Sequence, residues 1–266
     1  MPDMVGIKEY FNFLAIEDAQ LENDLQRIST PEEKERREAS RLAQFLLKND
    51  KFIDFMEKPN TQMVFLRKTL ADPKDSTTFG CLAGNLALEL NNFNGDDNAI
   101  AVIHVLCPLH SSRPSEDFYL LKVILYQLLK FMRHDELPRK YLSGKFEDLQ
   151  GIISGLFGAL TILKHQGNIV FVFHGLGAYQ RNHLKETEFC MGLLASIEKW
   201  DRDHTYGLKA IYTEPLPNNT KGDPKWKDEQ NYIELPTEKE FPIADQGDVT
   251  AVAKKLTEHM LTQFED

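Results

Sequence analysis

Five short runs in this chain are apolar almost from end to end: MVFLRK (63–68), AIAVIHVL (99–106), NIVFVFH (168–174), LKAIYT (208–213) and NYIEL (231–235). A strand with one face in water alternates polar and apolar residues, so a run without alternation has to be covered on both faces. Between the runs stand helix-length patterns near 76–92, 116–133, 145–166 and 184–200, with a last one at 248–263. Buried strands alternating with helices specify a parallel sheet held between two helical layers, wound right-handed. The predicted fold is α/β, a three-layer parallel sheet of about five strands.

Residues 1 to 58 read differently, as a helical N-terminal segment, so the predicted organisation is 1–58 and an α/β domain over 59–266. In STPEEKERREASRLAQFLLKNDKFIDFMEK, Thr30 is placed to cap a helix, Pro31 to occupy its first position and Glu33 to complete a capping box. Leu42, Phe45, Leu46, Phe52 and Phe55 then form an apolar stripe at helical spacing. Such a stripe docks on the following domain or, as the alternative, receives a partner helix. The segment 214–230 is rich in Pro, Asn and Gly and predicts an insertion-tolerant loop.

Charge and cysteine usage exclude several function classes. The formal net charge is −10, which disfavours sequence-independent binding to nucleic acid and adhesion to an anionic membrane. Cys81, Cys107 and Cys190 are widely spaced and odd in number, which suits neither a disulfide framework nor a structural zinc site and predicts a reducing, cytoplasmic or otherwise intracellular setting. Asp3, Glu9 and Glu17 interrupt the apolar residues of the N-terminus as no secretory leader tolerates, and no run reaches the length of a membrane span.

In sheets of this kind ligands bind beyond the carboxyl ends of the strands. The first strand is followed by RKTLADPKDSTTFGCLAGNL, a short loop with Ser-Thr leading into a helix, the context of a phosphate-binding GxxxxGK[ST] loop. The string itself does not match: with Ser76 and Thr77 on the hydroxyl position, Lys74 stands in place of the second glycine, Asp75 in place of the lysine, and Asp72 lies in the loop.

The succession of segments over residues 40 to 260 resembles the NACHT-type P-loop NTPases of the STAND group, especially the fungal ones. The resemblance rests on FLLKNDKFIDFME before a first strand MVFLRK, on a second strand AIAVIHVLCPL followed by EDFYLLKVILYQLLKF with its QLL segment, and on LKAIYTEP where family members often end a strand with T-S-R-P. It implies a P-loop-NTPase-like sheet with NIVFVFHGLGAY on the Walker B strand. By that resemblance the Walker A lysine corresponds to Asp75, the Walker B aspartate to His174, the following acids to Gly177 and Ala178, and the T-S-R-P arginine to Glu214. Gly175, Leu176, Ser76 and Thr77 keep family-like identities.

Phosphoryl transfer relies on positioning and on cationic stabilisation of the phosphates, so losing the lysine, the magnesium ligand and the water-orienting acid removes the mechanism. Two like charges about 4 Å apart at an effective dielectric near 20 repel by about 4 kcal/mol, so Asp75 also opposes a bound phosphate. An acid at a helix N-terminus satisfies the same free N–H groups that a phosphate would, which suggests an anion site filled from within.

Other chemistries have weaker support. HGLG resembles the oxyanion segment of α/β-hydrolases, but no GxSxG elbow follows. His104, Cys107, His110 and His174 form a weak metal candidate of zinc-binding residue types, against which His104 reads as a hydrogen-bonded core histidine. Cys190 reads as a small buried hydrophobe, and Phe118, Tyr119, Tyr126 and Phe131 recur at helical spacing as core. The expectation is a non-catalytic pseudo-NTPase that acts as a protein-interaction or regulatory module, with no cofactor, a protein partner and a capacity to oligomerise. Intact relatives carry sensing repeats, and this sequence ends soon after the last strand, which favours an adaptor, regulator or effector-like role over an autonomous receptor. The alternatives are a divergent switch binding ATP or GTP with magnesium, and a zinc-dependent or hydrolase-like enzyme.

Overall fold

The computed structural model describes residues 4–57, 62–67, 75–93, 100–107, 118–132, 136–138, 149–163, 168–176, 208–214, 232–236, 249–252, 254 and 258. Along the chain the elements are β1 (Met4–Gly6), α1 (Ile7–Leu14), α2 (Asp18–Ser29), α3 (Glu33–Leu46), α4 (Asp50–Glu57), β2 (Gln62–Arg67), α5 (Asp75–Phe93), β3 (Ile100–Leu106), α6 (Tyr119–Phe131), β4 (Glu136–Pro138), α7 (Leu149–Leu163), β5 (Asn168–His174), β6 (Leu208–Glu214) and β7 (Tyr232–Glu234). The predicted helix at 184–200, Cys190 and the loop beyond Glu214 lie outside the described residues.

All five apolar runs are strands of one sheet in the order β3-β5-β6-β2-β7, and every pairing in it is parallel. The fold is a three-layer α/β sandwich, consistent with a P-loop-like architecture. Because side chains alternate across a strand, the register sorts the sheet residues into two cores. Ile103, Val105, Phe171, Phe173, Ala210 and Tyr212 meet α1, α6 and α7 on one side. Val102, Leu106, Val170, Val172, Ile211 and Leu66 meet α3, α4 and α5 on the other.

Helix α6 is buried on almost every side, from Tyr119 to Leu129, because α1 and α7 pack over it where it lies on β3. Tyr119 and Tyr126 are core as expected, and Phe118 and Phe131 are partly buried against the same cluster. The stripe of the N-terminal segment is also accounted for: Leu42, Leu46, Phe52 and Phe55 are buried with β2 and α5, and Phe45 packs against them. N-terminal helices therefore contribute to both cores. The capping expectation is corrected. Helix α3 begins at Glu33, behind Glu32 and without a side-chain cap, while Thr30 closes α2 by donating its hydroxyl to the Gln26 carbonyl at 2.8 Å.

An aromatic row crosses four adjacent strands on the α6 side. Phe173, Tyr212, Phe65 and Tyr232 are register partners in turn, and their rings stack at centroid separations of 4.9, 4.6 and 5.1 Å. Stacked pairs of this kind add about 0.5–1.5 kcal/mol each beyond their buried area. The row lies one residue from the carboxyl end of β5 and two from those of β6 and β2, so it fixes the strand ends that form the rim of the sheet.

Candidate functional site

The carboxyl rim of the sheet is built from His174 on β5, Thr213 and Glu214 on β6, Arg67 on β2 and Glu234 on β7. The register pairs His174 with Thr213, and Arg67 with both Glu214 and Glu234. Helix α5, which follows β2 in the chain, begins at Asp75.

His174 is 1% exposed, and its Nδ1 lies 2.9 Å from Thr213 Oγ1. The Thr213 hydroxyl donates to the Phe173 carbonyl at 3.3 Å, so its oxygen accepts from Nδ1–H and the imidazole presents Nε2 on its other edge. That edge faces α5: a Cβ built on Gly80 would come within 3.1 Å of Nε2. The chain turns immediately afterwards at Gly175, whose φ of 72° is the left-handed region that glycine enters without strain, and the Gly175 N–H donates to the Thr213 carbonyl at 3.1 Å. The ring is thus wedged between two strand ends and a helix. Truncating it by His174→Ala is expected to cost about 2 kcal/mol, from one lost buried hydrogen bond and the cavity left behind, as measured by urea unfolding.

On the other side of β2, Arg67 donates from Nε to Glu234 Oε2 at 2.7 Å and lies over the Tyr232 ring at 4.6 Å. The Leu235 N–H closes the same corner on the Arg67 carbonyl at 2.7 Å. The cation that ends β2 is therefore already paired with a carboxylate and an aromatic face. At α5, Asp75 and Ser76 are the first two helical residues and Thr77 is exposed. Thr78, one position on, is buried and donates to Glu38 Oε2 of α3 at 3.4 Å. The Glu38 carboxylate therefore reaches the first turn of α5.

These placements bring some of the sequence-predicted positions together. His174 lies against α5, and Glu214 is the last residue of β6, in register with Arg67. Asp72, Lys74, Gly177, Ala178 and His110 lie outside the described residues. His104 and His174 are on adjacent strands, but the first faces Leu21 and the second sits at Gly80 beside Ile28. Leu21 and Ile28 are two turns apart on α2, about 10 Å at the helical rise of 1.5 Å per residue. Cys107 belongs to the core on the α6 side of the sheet. Among the described residues no three His, Cys, Asp or Glu come together as metal ligands would, and no helix is long and apolar enough to cross a membrane.

Sequence reasoning missed Glu38. Its charge sits on a helix rich in charged residues, EKERREASRLAQFL, and nothing in that pattern singles out one carboxylate for a contact 40 positions away. It also missed the Arg67–Glu234 pair, which depends on β7 lying beside β2. Comparison with known protein families finds no match, and comparison with curated proteins finds none either.

Proposed function

We propose that this chain is a non-catalytic, pseudo-NTPase-like α/β module that acts by contacting a protein partner and not by turning over a nucleotide. The observation that carries the reading is the state of the rim. At the end of β5, where a magnesium-holding carboxylate would be needed, the side chain is an imidazole tied to Thr213 and wedged against α5. Metal-assisted phosphoryl transfer has no group there to hold its ion. The first turn of α5, the natural anion site after a parallel strand, meets Glu38 and starts on Asp75. The Glu38 carboxylate at that turn opposes a phosphate. Arg67 cannot serve as a substitute cation without giving up Glu234.

The discriminating measurement is thermal unfolding with millimolar magnesium–ATP or magnesium–GTP. A ligand at a hundred times its Kd stabilises by about 2.7 kcal/mol, which for a chain of this size moves the midpoint by about 5–10 °C. The expected result is no shift with either nucleotide. A shift of several degrees that Lys74→Ala or Ser76→Ala abolishes would replace this reading with that of a divergent nucleotide switch.

A further inference from the structure

Helix α3 turns Ala39, Leu42, Ala43 and Leu46 to the core. At 3.6 residues per turn, its opposite side carries Lys34, Arg37 and Arg41. Among the described residues these three cations line, with Glu33 and Glu38, a surface depression of about 340 Å³. The two carboxylates there are already engaged: Glu33 pairs with Arg37, and Glu38 accepts from Thr78 of α5 at 3.4 Å. Lys34, which is exposed, and Arg41, which is half-buried, form no ion pair among the described residues. A guanidinium has five N–H donors in a fixed fork and no acceptor, a geometry that matches a carboxylate.

Spacing selects the ligand. Along the helix axis Lys34 and Arg37 are about 4.5 Å apart, and Arg37 and Arg41 about 6 Å. Side chains on one side of an extended peptide recur about every 6.8 Å, so a strand-like segment with an acid at every second position brings a carboxylate to each cation. The long stems of Lys and Arg take up the small difference. The Glu33–Arg37 pair is exposed on both sides, and such pairs are weak enough to exchange for another carboxylate. A phosphate fits less well, because Glu33 and Glu38 stand beside the same cations and repel a dianion more than a single carboxylate.

We propose that this face of α3 docks an extended acidic segment of the partner protein, with Arg37 and Arg41 forking onto carboxylates and Lys34 adding a third charge. The inference rests on the reading that the chain acts through a protein partner, and it supplies the chemistry by which that partner is recognised. The formal net charge of the chain is −10, so an acidic segment is attracted at α3 and repelled by the molecule as a whole, which confines it to this face.

The test is an NMR titration of the full chain with a peptide of about eight residues alternating Glu and Ser, and with the same peptide carrying Gln for Glu, at low and at physiological salt. Saturable shifts centred on Lys34, Arg37 and Arg41 are expected with the acidic peptide, weaker in salt and absent with the Gln peptide. Combining Lys34→Gln with Arg41→Gln is expected to lower the affinity about tenfold. Lys8→Gln, at an exposed position on α1 across the sheet, is expected to leave it unchanged. No saturable binding, shifts centred away from α3, or equal weakening by Lys8→Gln would overturn the proposal. So would α3 shifts that arise on concentrating the chain alone, which would assign the face to a second copy. The nucleotide measurement reads the rim of the sheet and this one reads α3, so each fails independently of the other.

Discussion

Replacing Lys209 with methionine is expected to lower the stability of this chain by about 3 kcal/mol, a fall in melting temperature of about 6–10 °C. Lys209 is on β6, the middle strand of the sheet, and is 1% exposed. Its ammonium group donates to the Phe55 carbonyl and, at 3.2 Å, to the Met56 carbonyl, and it lies 5.0 Å from the centre of the Phe55 ring. Both carbonyls are in the last turn of α4, where the helix has acceptors without donors and carries the negative end of its dipole. A buried charge held this way is costly to place but more costly to remove, because methionine fills the volume and leaves the helix end without its donor. The exposed Lys51 on the same helix is the control, and Lys51→Met is expected to change stability by less than about 0.5 kcal/mol. A loss under 1 kcal/mol for the Lys209 variant in urea unfolding would show that α4 is held by its apolar face alone.

The second large effect is expected at Gly84. Helix α2 ends against α5 so closely that a Cβ on Gly84 would lie 2.7 Å from Ile28 Cγ2, 3.2 Å from the Ser29 nitrogen and 3.3 Å from the Ser29 Cα. The Ile28 side chain can turn away, but the Ser29 backbone is fixed by its bonds. Asn85 Nδ2 donates to the Ser29 carbonyl at 3.0 Å and to the Cys81 carbonyl at 2.9 Å, while Asn85 Oδ1 accepts from Thr250 Oγ1 at 3.2 Å. One asparagine thus joins the end of α2, the middle of α5 and the helical residues at 249–252. Alanine gains about 1 kcal/mol of helix propensity over glycine in an unhindered helix. Overpacking here costs about 1–3 kcal/mol and breaks the geometry of the asparagine as well. The net expectation for Gly84→Ala is a loss of about 2 kcal/mol, read as a lower urea midpoint with an unchanged slope. Stabilisation by this variant would mean that α2 is not held at this distance in solution.

Much of the fold was legible because burial writes itself into composition. β5 runs over Asn168–His174 as read from the sequence, and β2, β3 and β6 differ from their predicted bounds by a residue at one or both ends. The helices followed from period and length, with α5 and α7 close to their predicted spans. β1 and β4 were not legible: each has three residues, too few for a period, and they pair across 130 to 134 positions.

The candidate site was legible only in part. NIVFVFH announces a buried strand, and its final histidine marks a strand end where an acid would be expected, but the letters do not show what the ring touches. Its bonds to Thr213 and its approach to Gly80 depend on β6 lying beside β5 and α5 lying over both. His104 shows the same limit from the opposite side. In sequence it is a core histidine that ought to be hydrogen-bonded, and only the structure shows that its backbone bonds to the Gln127 side chain.

The amino-acid string fixes what can be decided one segment at a time: which runs must be buried on both faces and which stretches close into helices. Those follow from transfer free energies and local periodicities, which need no knowledge of neighbours. Strand order, the burial of Lys209 beneath α4, the seat of α2 on Gly84 and the pairing of Arg67 with Glu234 were settled only in three dimensions. Each is a contact between residues far apart in the chain, and a lysine or a glycine reads the same in sequence whether it meets solvent or a helix end. Packing supplies the partner, and with it the difference between a buried charge that holds the fold and one that would break it.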